Sequence, residues 1–155
     1  QKNWKLVIVG DDALKQNNKA KLEQLIRDLK MEGKIMLAGK QSDVDQFYNK
    51  SKIFAFTSSS EGFPNVIGEA MTAGLPVIAY DCVAGPSDLI EDSHSGYLIP
   101  PHDTKAYKLK LKKLMEDKEL RLQMGEKGQQ NIKKYSLEAI GQKFQKAIIG
   151  ANTSN

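Results

Sequence analysis

Glu61 and Glu69, separated by seven residues, bracket the most chemically suggestive stretch of the chain, Ser58-Ser59-Ser60-Glu61-Gly62-Phe63-Pro64-Asn65-Val66-Ile67-Gly68-Glu69-Ala70-Met71. Small residues and Gly62 let the chain turn tightly after a strand. Pro64 stands where the first residue of a helix is expected, a position at which its missing N–H does no harm. The next backbone N–H groups, around Asn65 and Val66, then have no helical acceptors and point outward. With the helix dipole they make a site for an anion such as a diphosphate. Glu69 falls about five residues into that helix, roughly 7.5 Å along its axis. A carboxylate there opposes a bound phosphate only weakly and is placed to accept hydrogen bonds from ribose hydroxyls. Glu61 precedes the helix, in the loop, within reach of a sugar beyond the diphosphate. Read alone, each glutamate would be an exposed carboxylate flanking a helix start; the Gly-Phe-Pro-Asn turn at a strand's end reverses that preference.

Such a turn needs a sheet behind it. Leu6-Val7-Ile8-Val9, Ile35-Met36-Leu37-Ala38, Ile53-Phe54-Ala55-Phe56 and Val77-Ile78-Ala79-Tyr80 are each apolar at consecutive positions. That is the pattern of strands covered on both faces, as in a parallel sheet between helix layers. Gly96–Ile99 is expected as a last short strand. Leu22, Leu25, Ile26 and Leu29 recur at helical spacing, with Gly33 where that helix would end. Ser42-x-x-Asp45 has the form of a capping box opening a short helix with Val44, Phe47 and Tyr48 on one side. Val66, Ile67 and Ala70 belong to a helix ending near Gly74. Three further helices are expected, carrying Leu109, Leu111, Leu114 and Met115, then Leu120, Leu122 and Met124, then Ile140, Phe144 and Ile148. Strands alternating with helices predict a Rossmann-like α/β fold, an open parallel sheet with helices on both faces and helices at the C-terminal end. In such sheets ligands bind outside the carboxyl ends of the strands. Here those ends carry Gly10-Asp11, Gly39-Lys40, residues 57–65 and residues 81–87. Residues 1–150 are read as one domain and 151–155 as a frayed tail.

Composition narrows the function classes. The chain has 155 residues, 40% of them hydrophobic, enough for one core and too many for a disordered chain. A formal charge of +4, from 23 basic and 19 acidic residues, permits anionic ligands. No basic stripe interleaves with aromatics, so nucleic acid is not expected as a partner. The single cysteine, Cys82, excludes a disulfide framework and a cysteine-based metal site and is expected to be buried or half-buried just after a strand, in a reducing cytosol. No apolar run approaches the roughly 20 residues of a membrane span, and the start reads as a chain entered partway rather than a signal peptide. Lysines 105, 108, 110, 112 and 113 would suit acidic lipid, but a solvated helix surface is the plainer expectation. Lys40 read alone is a solvated lysine, and His94 and His102 lack metal-ligand spacing.

The string E-G-F-P-N-V-I-G-E-A-M-T-A-G-L-P-V-I-A strongly resembles the E-x7-E signature of the group 1, or family 4, retaining glycosyltransferases with the two-Rossmann-domain (GT-B) fold. Val7-Ile8-Val9-Gly10, Met36-Leu37-Ala38-Gly39, Gly85-Pro86-Ser87-Asp88-Leu89-Ile90 and Ser95-Gly96-Tyr97-Leu98-Ile99-Pro100 with Asp103 agree in order and spacing. The resemblance runs from about residue 4 to residue 148. It implies a C-terminal, donor-binding domain without its acceptor-binding N-terminal partner. By the same resemblance Glu69 binds the ribose hydroxyls and Glu61, Gly62, Phe63, Pro64 and Asn65 the donor sugar. Gly10, Asn65 and Val66 lie at the diphosphate, and Gly39 and Lys40 at the base. Two departures stand out: Asp11-Asp12 replaces a further glycine of the first loop, and the Arg and Lys that neutralise the diphosphate would lie upstream of residue 1.

The activity implied is transfer of a hexosyl group from a nucleoside diphosphate sugar, a UDP-sugar first among them, to a glycan or lipid-linked acceptor, with retention. The donor is a substrate; no cofactor and no metal are expected. The location implied is cytoplasmic, with peripheral association of the full-length protein at the inner membrane face. The Gly-Pro-Ser-Asp segment resembles enzymes of polysaccharide and lipid-linked glycan assembly. The alternatives are a GT-B-type sugar-nucleotide epimerase and a non-transferase Rossmann-like nucleotide-binding module. The absence of G-x-G-x-x-G after the first strand counts against a dinucleotide.

Overall fold

Every strand pairing in the structure, a computed structural model that describes residues 3–11, 17–59, 64–83 and 85–152, is parallel. The strands are β1 (Leu6–Val9), β2 (Ile35–Gly39), β3 (Phe54–Phe56), β4 (Val77–Tyr80) and β5 (Gly96–Ile99). The helices are α1 (Asn18–Asp28), α2 (Asp45–Lys50), α3 (Asn65–Thr72), α4 (Pro86–Leu89), α5 (Thr104–Glu116), α6 (Lys118–Ile132) and α7 (Leu137–Asn152), with a 3-10 turn at Lys133–Tyr135. The chain divides into two units, Gln1–Gln46 and Phe47–Asn155.

In the first unit β1 and β2 pair in register from Leu6 opposite Ile35, joined by α1, the crossover that parallel pairing demands. Burial on both faces is not reached here: Leu6 and Met36 stay 46% and 52% exposed. A two-stranded ladder by itself has too few neighbours to cover both faces. α1 ends earlier than the Gly33 expectation. Lys30 N–H bonds Arg27 O and Met31 N–H bonds Ile26 O, a Schellman closure with Lys30 itself left-handed at φ 53°. The glycine arrives three positions after the turn is made. The capping-box expectation also shifts: α2 begins at Asp45, not just after Ser42.

The second unit meets the expectation of a two-sided core. Along β4, Val77 and Ala79 join a cluster with Phe56, Ile67, Ala70, Met71 and Leu89, while Ile78 joins Tyr97, Ile99, Tyr107, Leu114 and Met124 on the other side. Successive strand residues point to opposite faces, so a run with no polar position is what a sheet between helix layers requires. The order is β3-β4-β5, with Phe54 opposite Val77 and Val77 opposite Gly96. Tyr107, on α5, is a core residue absent from the apolar periodicity expected there. Its hydroxyl donates to Ile78 O at 3.1 Å, and burial, with Tyr80 alongside, pushes its pKa well above the ordinary tyrosine value. Of the leucines expected on these helices, Leu109 and Leu122 are 68% and 57% exposed, because spacings of two place neighbours on different sides of a helix. Leu120 and Met124, four apart, share the inward side of α6.

α3 and α6 approach closely through small residues. Gly125 and Gly128 are buried in α6, and Gly68 of α3 faces Ile132. α3 closes with a second Schellman motif: Gly74 N–H bonds Met71 O, Leu75 N–H bonds Ala70 O, and Gly74 is left-handed at φ 75°. Gln129 Nε2 then donates to Thr72 O at 3.0 Å, tying the end of α3 to α6. Asp103 and Asp117 cap α5 and α6, each accepting from the backbone N–H three residues on at 2.9 Å.

Candidate functional site

The helix that follows β3 presents its residues with a strict division of labour. Ile67, Ala70 and Met71 are buried, while Asn65, Val66 and Glu69 are exposed. Positions three and four apart share one side of a helix, so these three expected site residues lie on one solvent-facing surface. Pro64 is buried and stands as the N-cap, one residue earlier than the first-helical-residue expectation, with φ −80° and ψ 79°. Its carbonyl accepts from Ile67 N–H at 2.9 Å. The N–H groups of Asn65 and Val66 therefore remain as helix-start donors, at the positive end of the dipole. Glu61, Gly62 and Phe63 lie outside the described residues.

Glu69 is not left to sample its rotamers freely. Its Oε2 accepts from the hydroxyl of Tyr48 at 2.9 Å, and the Tyr48 ring is tilted against Phe54 with centroids 5.8 Å apart. The apolar periodicity placed Tyr48 on one side of a short helix with Val44 and Phe47 but carried no hint of this partner, 21 positions away.

At the carboxyl end of β4, Asp81 N–H bonds Ile99 O at 2.8 Å, and Cys82 is buried as expected. Gly85 caps α4 at φ 129°, a conformation side chains rarely adopt, and Pro86 follows as its first residue. The hydroxyl of Tyr135 holds this segment by donating to Asp88 O at 2.8 Å. His94 Nδ1 lies 3.2 Å from Lys127 Nζ, and the His102 ring leans on Tyr80 with centroids 6.5 Å apart. Lys110 sits over the Tyr97 ring at 4.6 Å and Lys112 pairs with Glu116, so two of the five α5 lysines have partners on the protein surface.

In the first unit the strand ends form a separate feature. The β1–β2 register slips between Ile8 and Val9, leaving Ala38 as an unpaired bulge residue. Gln41 Nε2 donates to the Ala38 carbonyl, and Gly10 N–H donates to Gly39 O at 2.9 Å. Gly10 and Gly39 have φ 141° and 68°, and a Cβ on either would meet nothing within 4 Å. Glycine is thus required by backbone conformation, and the space beside both strand ends is open. Lys40 is exposed. Among the described residues no group of three His, Cys, Asp or Glu could hold a metal ion, and no helix is long and apolar enough to cross a membrane.

The family described as "Glycosyl transferases group 1" matches residues 1–131. The amylovoran biosynthesis glycosyltransferase AmsD of Erwinia amylovora is 31% identical over 144 residues, which are 93% of this chain and 39% of AmsD. The chain thus spans about two fifths of that relative. The crystal structure of the C-terminal domain of a glycosyl transferase group 1 family protein, LpcC of Francisella tularensis, superposes with a TM-score of 0.78 at 28% identity, covering 86% of this chain and 71% of that one. A mutant of Staphylococcus aureus TarM in complex with fondaparinux, α-GlcNAc-glycerol and UDP superposes with a TM-score of 0.82 at 33% identity, covering 91% of this chain and 28% of that one. The GT-B type of parallel α/β fold expected from the sequence is the observed one. With the match running through every strand of both units and most of α6, the chain belongs to the group 1 glycosyl transferases.

Proposed function

We propose that this chain is the donor-binding part of a retaining glycosyltransferase that transfers a hexosyl group from a nucleoside diphosphate sugar to a glycan or lipid-linked acceptor. The observation that carries the reading is the shared exposed face of Asn65, Val66 and Glu69 at the start of α3. Helix-start amides there meet the diphosphate, and Glu69 accepts from the ribose hydroxyls. Glu61, Gly62, Phe63, Pro64 and Asn65 are assigned to the transferred sugar. For Gly10 the family's role is close approach of the donor; for Gly39 and Lys40 it is contact with the base. UDP is the favoured nucleotide, a choice supported by the UDP in the TarM complex. As the donor bond breaks, negative charge grows on the departing diphosphate, and preorganised amides at the start of α3 stabilise it. No metal and no cofactor enter the proposal. The acceptor is assigned to the part of its relatives' length that this chain does not span.

Calorimetric titration with UDP, GDP, ADP and UDP-sugars, on the wild type and on Glu69→Ala, tests the reading. Selective binding of one nucleoside diphosphate, weakened in Glu69→Ala, is the expected result. Indifference of the full-length protein to all of them at millimolar concentration overturns it. Product analysis with and without acceptor separates transfer from the epimerase alternative, since an epimerase releases altered sugar with no acceptor present. This chain by itself is expected to bind donor weakly and to transfer little; substantial turnover by residues 1–155 alone would contradict that division of labour.

A further inference from the structure

We propose that Tyr48 is a positioning residue for Glu69, holding its carboxylate in one orientation for the ribose of the donor. The inference rests on the reading of Glu69 as the ribose-binding carboxylate. Tyr48 comes from α2, and its phenol O–H donates to Glu69 Oε2 at 2.9 Å. The ring is itself fixed, packed against Phe54 and set beside the core of the second unit. An exposed glutamate otherwise populates several rotamers, and those aimed away from a ligand must be given up on binding. A phenol anchored by its ring selects one rotamer before any ligand arrives. It also takes one lobe of the carboxylate, leaving Oε1 to accept from the neighbouring 2′ and 3′ hydroxyls. An ionised acceptor strengthens such a bond relative to a neutral one. The consequence is specific: Tyr48 contributes to affinity only through ligands that carry the ribose hydroxyls.

The test uses the full-length protein as wild type, Tyr48→Phe, Glu69→Ala and the double variant. Each is titrated with UDP, GDP and ADP, then with the 2′,3′-dideoxy analogue of the one that binds best, and each is melted to confirm folding. Phenylalanine keeps the ring packing and removes only the hydroxyl. Loss of one such hydrogen bond is expected to weaken ribonucleotide binding by about three- to tenfold. Affinity for the dideoxy analogue stays unchanged, and Tyr48→Phe adds nothing in the Glu69→Ala background. Full ribonucleotide affinity in Tyr48→Phe, with Glu69→Ala still weakened, overturns the positioning role and leaves the Glu69 reading standing. Equal weakening toward both analogues marks a purely structural tyrosine and overturns it too. A wild type that binds none of the three diphosphates, or ignores the ribose hydroxyls, removes the reading on which the inference rests.

Discussion

Alanine at Gly125 probes how α6 holds α3, the helix that carries Glu69. A Cβ at Gly125 would overlap the Gly74 carbonyl oxygen and lie 3.0 Å from the carbonyl carbon. Non-bonded heavy atoms rest at about 3.5–4.0 Å and the overlap with the oxygen is the tighter of the two, so α6 or the turn after α3 has to retreat by roughly 1 Å or more. That turn resists: Gly74 is left-handed, its N–H is bonded to Met71 O, and Gln129 already ties Thr72 to α6. Overpacking costs about 1–3 kcal/mol and falls at the upper end where the obstacle is backbone. Alanine's helix preference returns about 1 kcal/mol of that. The expected net loss is about 2 kcal/mol, a fall of about 4–8 °C in melting temperature for a chain of this size. Gly128→Ala is the matched control, three residues along the same helix. Its Cβ would meet Met71 Cγ and Ser95 O, both at 3.6 Å, which is ordinary contact. That variant is expected to be neutral or stabilised by up to about 1 kcal/mol. Thermal and urea unfolding of the three proteins side by side measure the contrast. A Gly125→Ala protein as stable as Gly128→Ala would refute the packing account.

Glu69→Ala is expected to weaken nucleoside diphosphate binding by about ten- to a hundredfold, the loss of hydrogen bonds to one charged acceptor. Its melting temperature should move by no more than about 2 °C, because the side chain is exposed; calorimetry and a melt check both. Lys30→Gly should stabilise the chain by about 0.5–1 kcal/mol, since glycine relieves a left-handed lysine at a cost in unfolded-state entropy smaller than the strain removed. Urea midpoints would reveal the opposite sign if the turn were unstrained. Tyr107→Phe should cost about 1–2 kcal/mol through loss of the buried hydroxyl's bond to Ile78 O. Burial raises the folded-state pKa of Tyr107, so its contribution is complete below the unfolded value of about 10 and is lost as pH climbs above it. Stability of the wild type against pH between about 9 and 11 should therefore fall more steeply than that of Tyr107→Phe.

Local chemistry was enough to place much of this protein. The consecutive apolar runs at 6–9, 35–38 and 77–80 became parallel strands, and the segment from Asn65 to Glu69 became the start of a helix after a strand. The run at 77–80 is legible because burial on both faces leaves no polar position to obscure it, whereas those at 6–9 and 35–38 are apolar throughout although Leu6 and Met36 stay exposed. The glycines at 10 and 39 could be flagged from their place after strands, and their left-handed backbone explains why no other residue serves there. The helices beyond β5 were less legible. The apolar residues placed there did not say which face turns inward: Leu109 and Leu122 lie outside and Tyr107 inside, because a long helix packed on one side admits several apolar phases and only its neighbours choose among them.

Sequence order alone determined the fold class, the family and the cluster of Asn65, Val66 and Glu69, since helical spacing of three and four residues fixes which side chains share a face. Tertiary structure alone decided which partner Glu69 takes, where α3 is clamped and how its turn is held. Tyr48 and Glu69 are 21 positions apart and Gln129 and Thr72 are 57 apart. No local periodicity links such pairs; they meet only because the sheet and the glycine-lined helix contact bring distant segments of one unit within hydrogen-bonding reach.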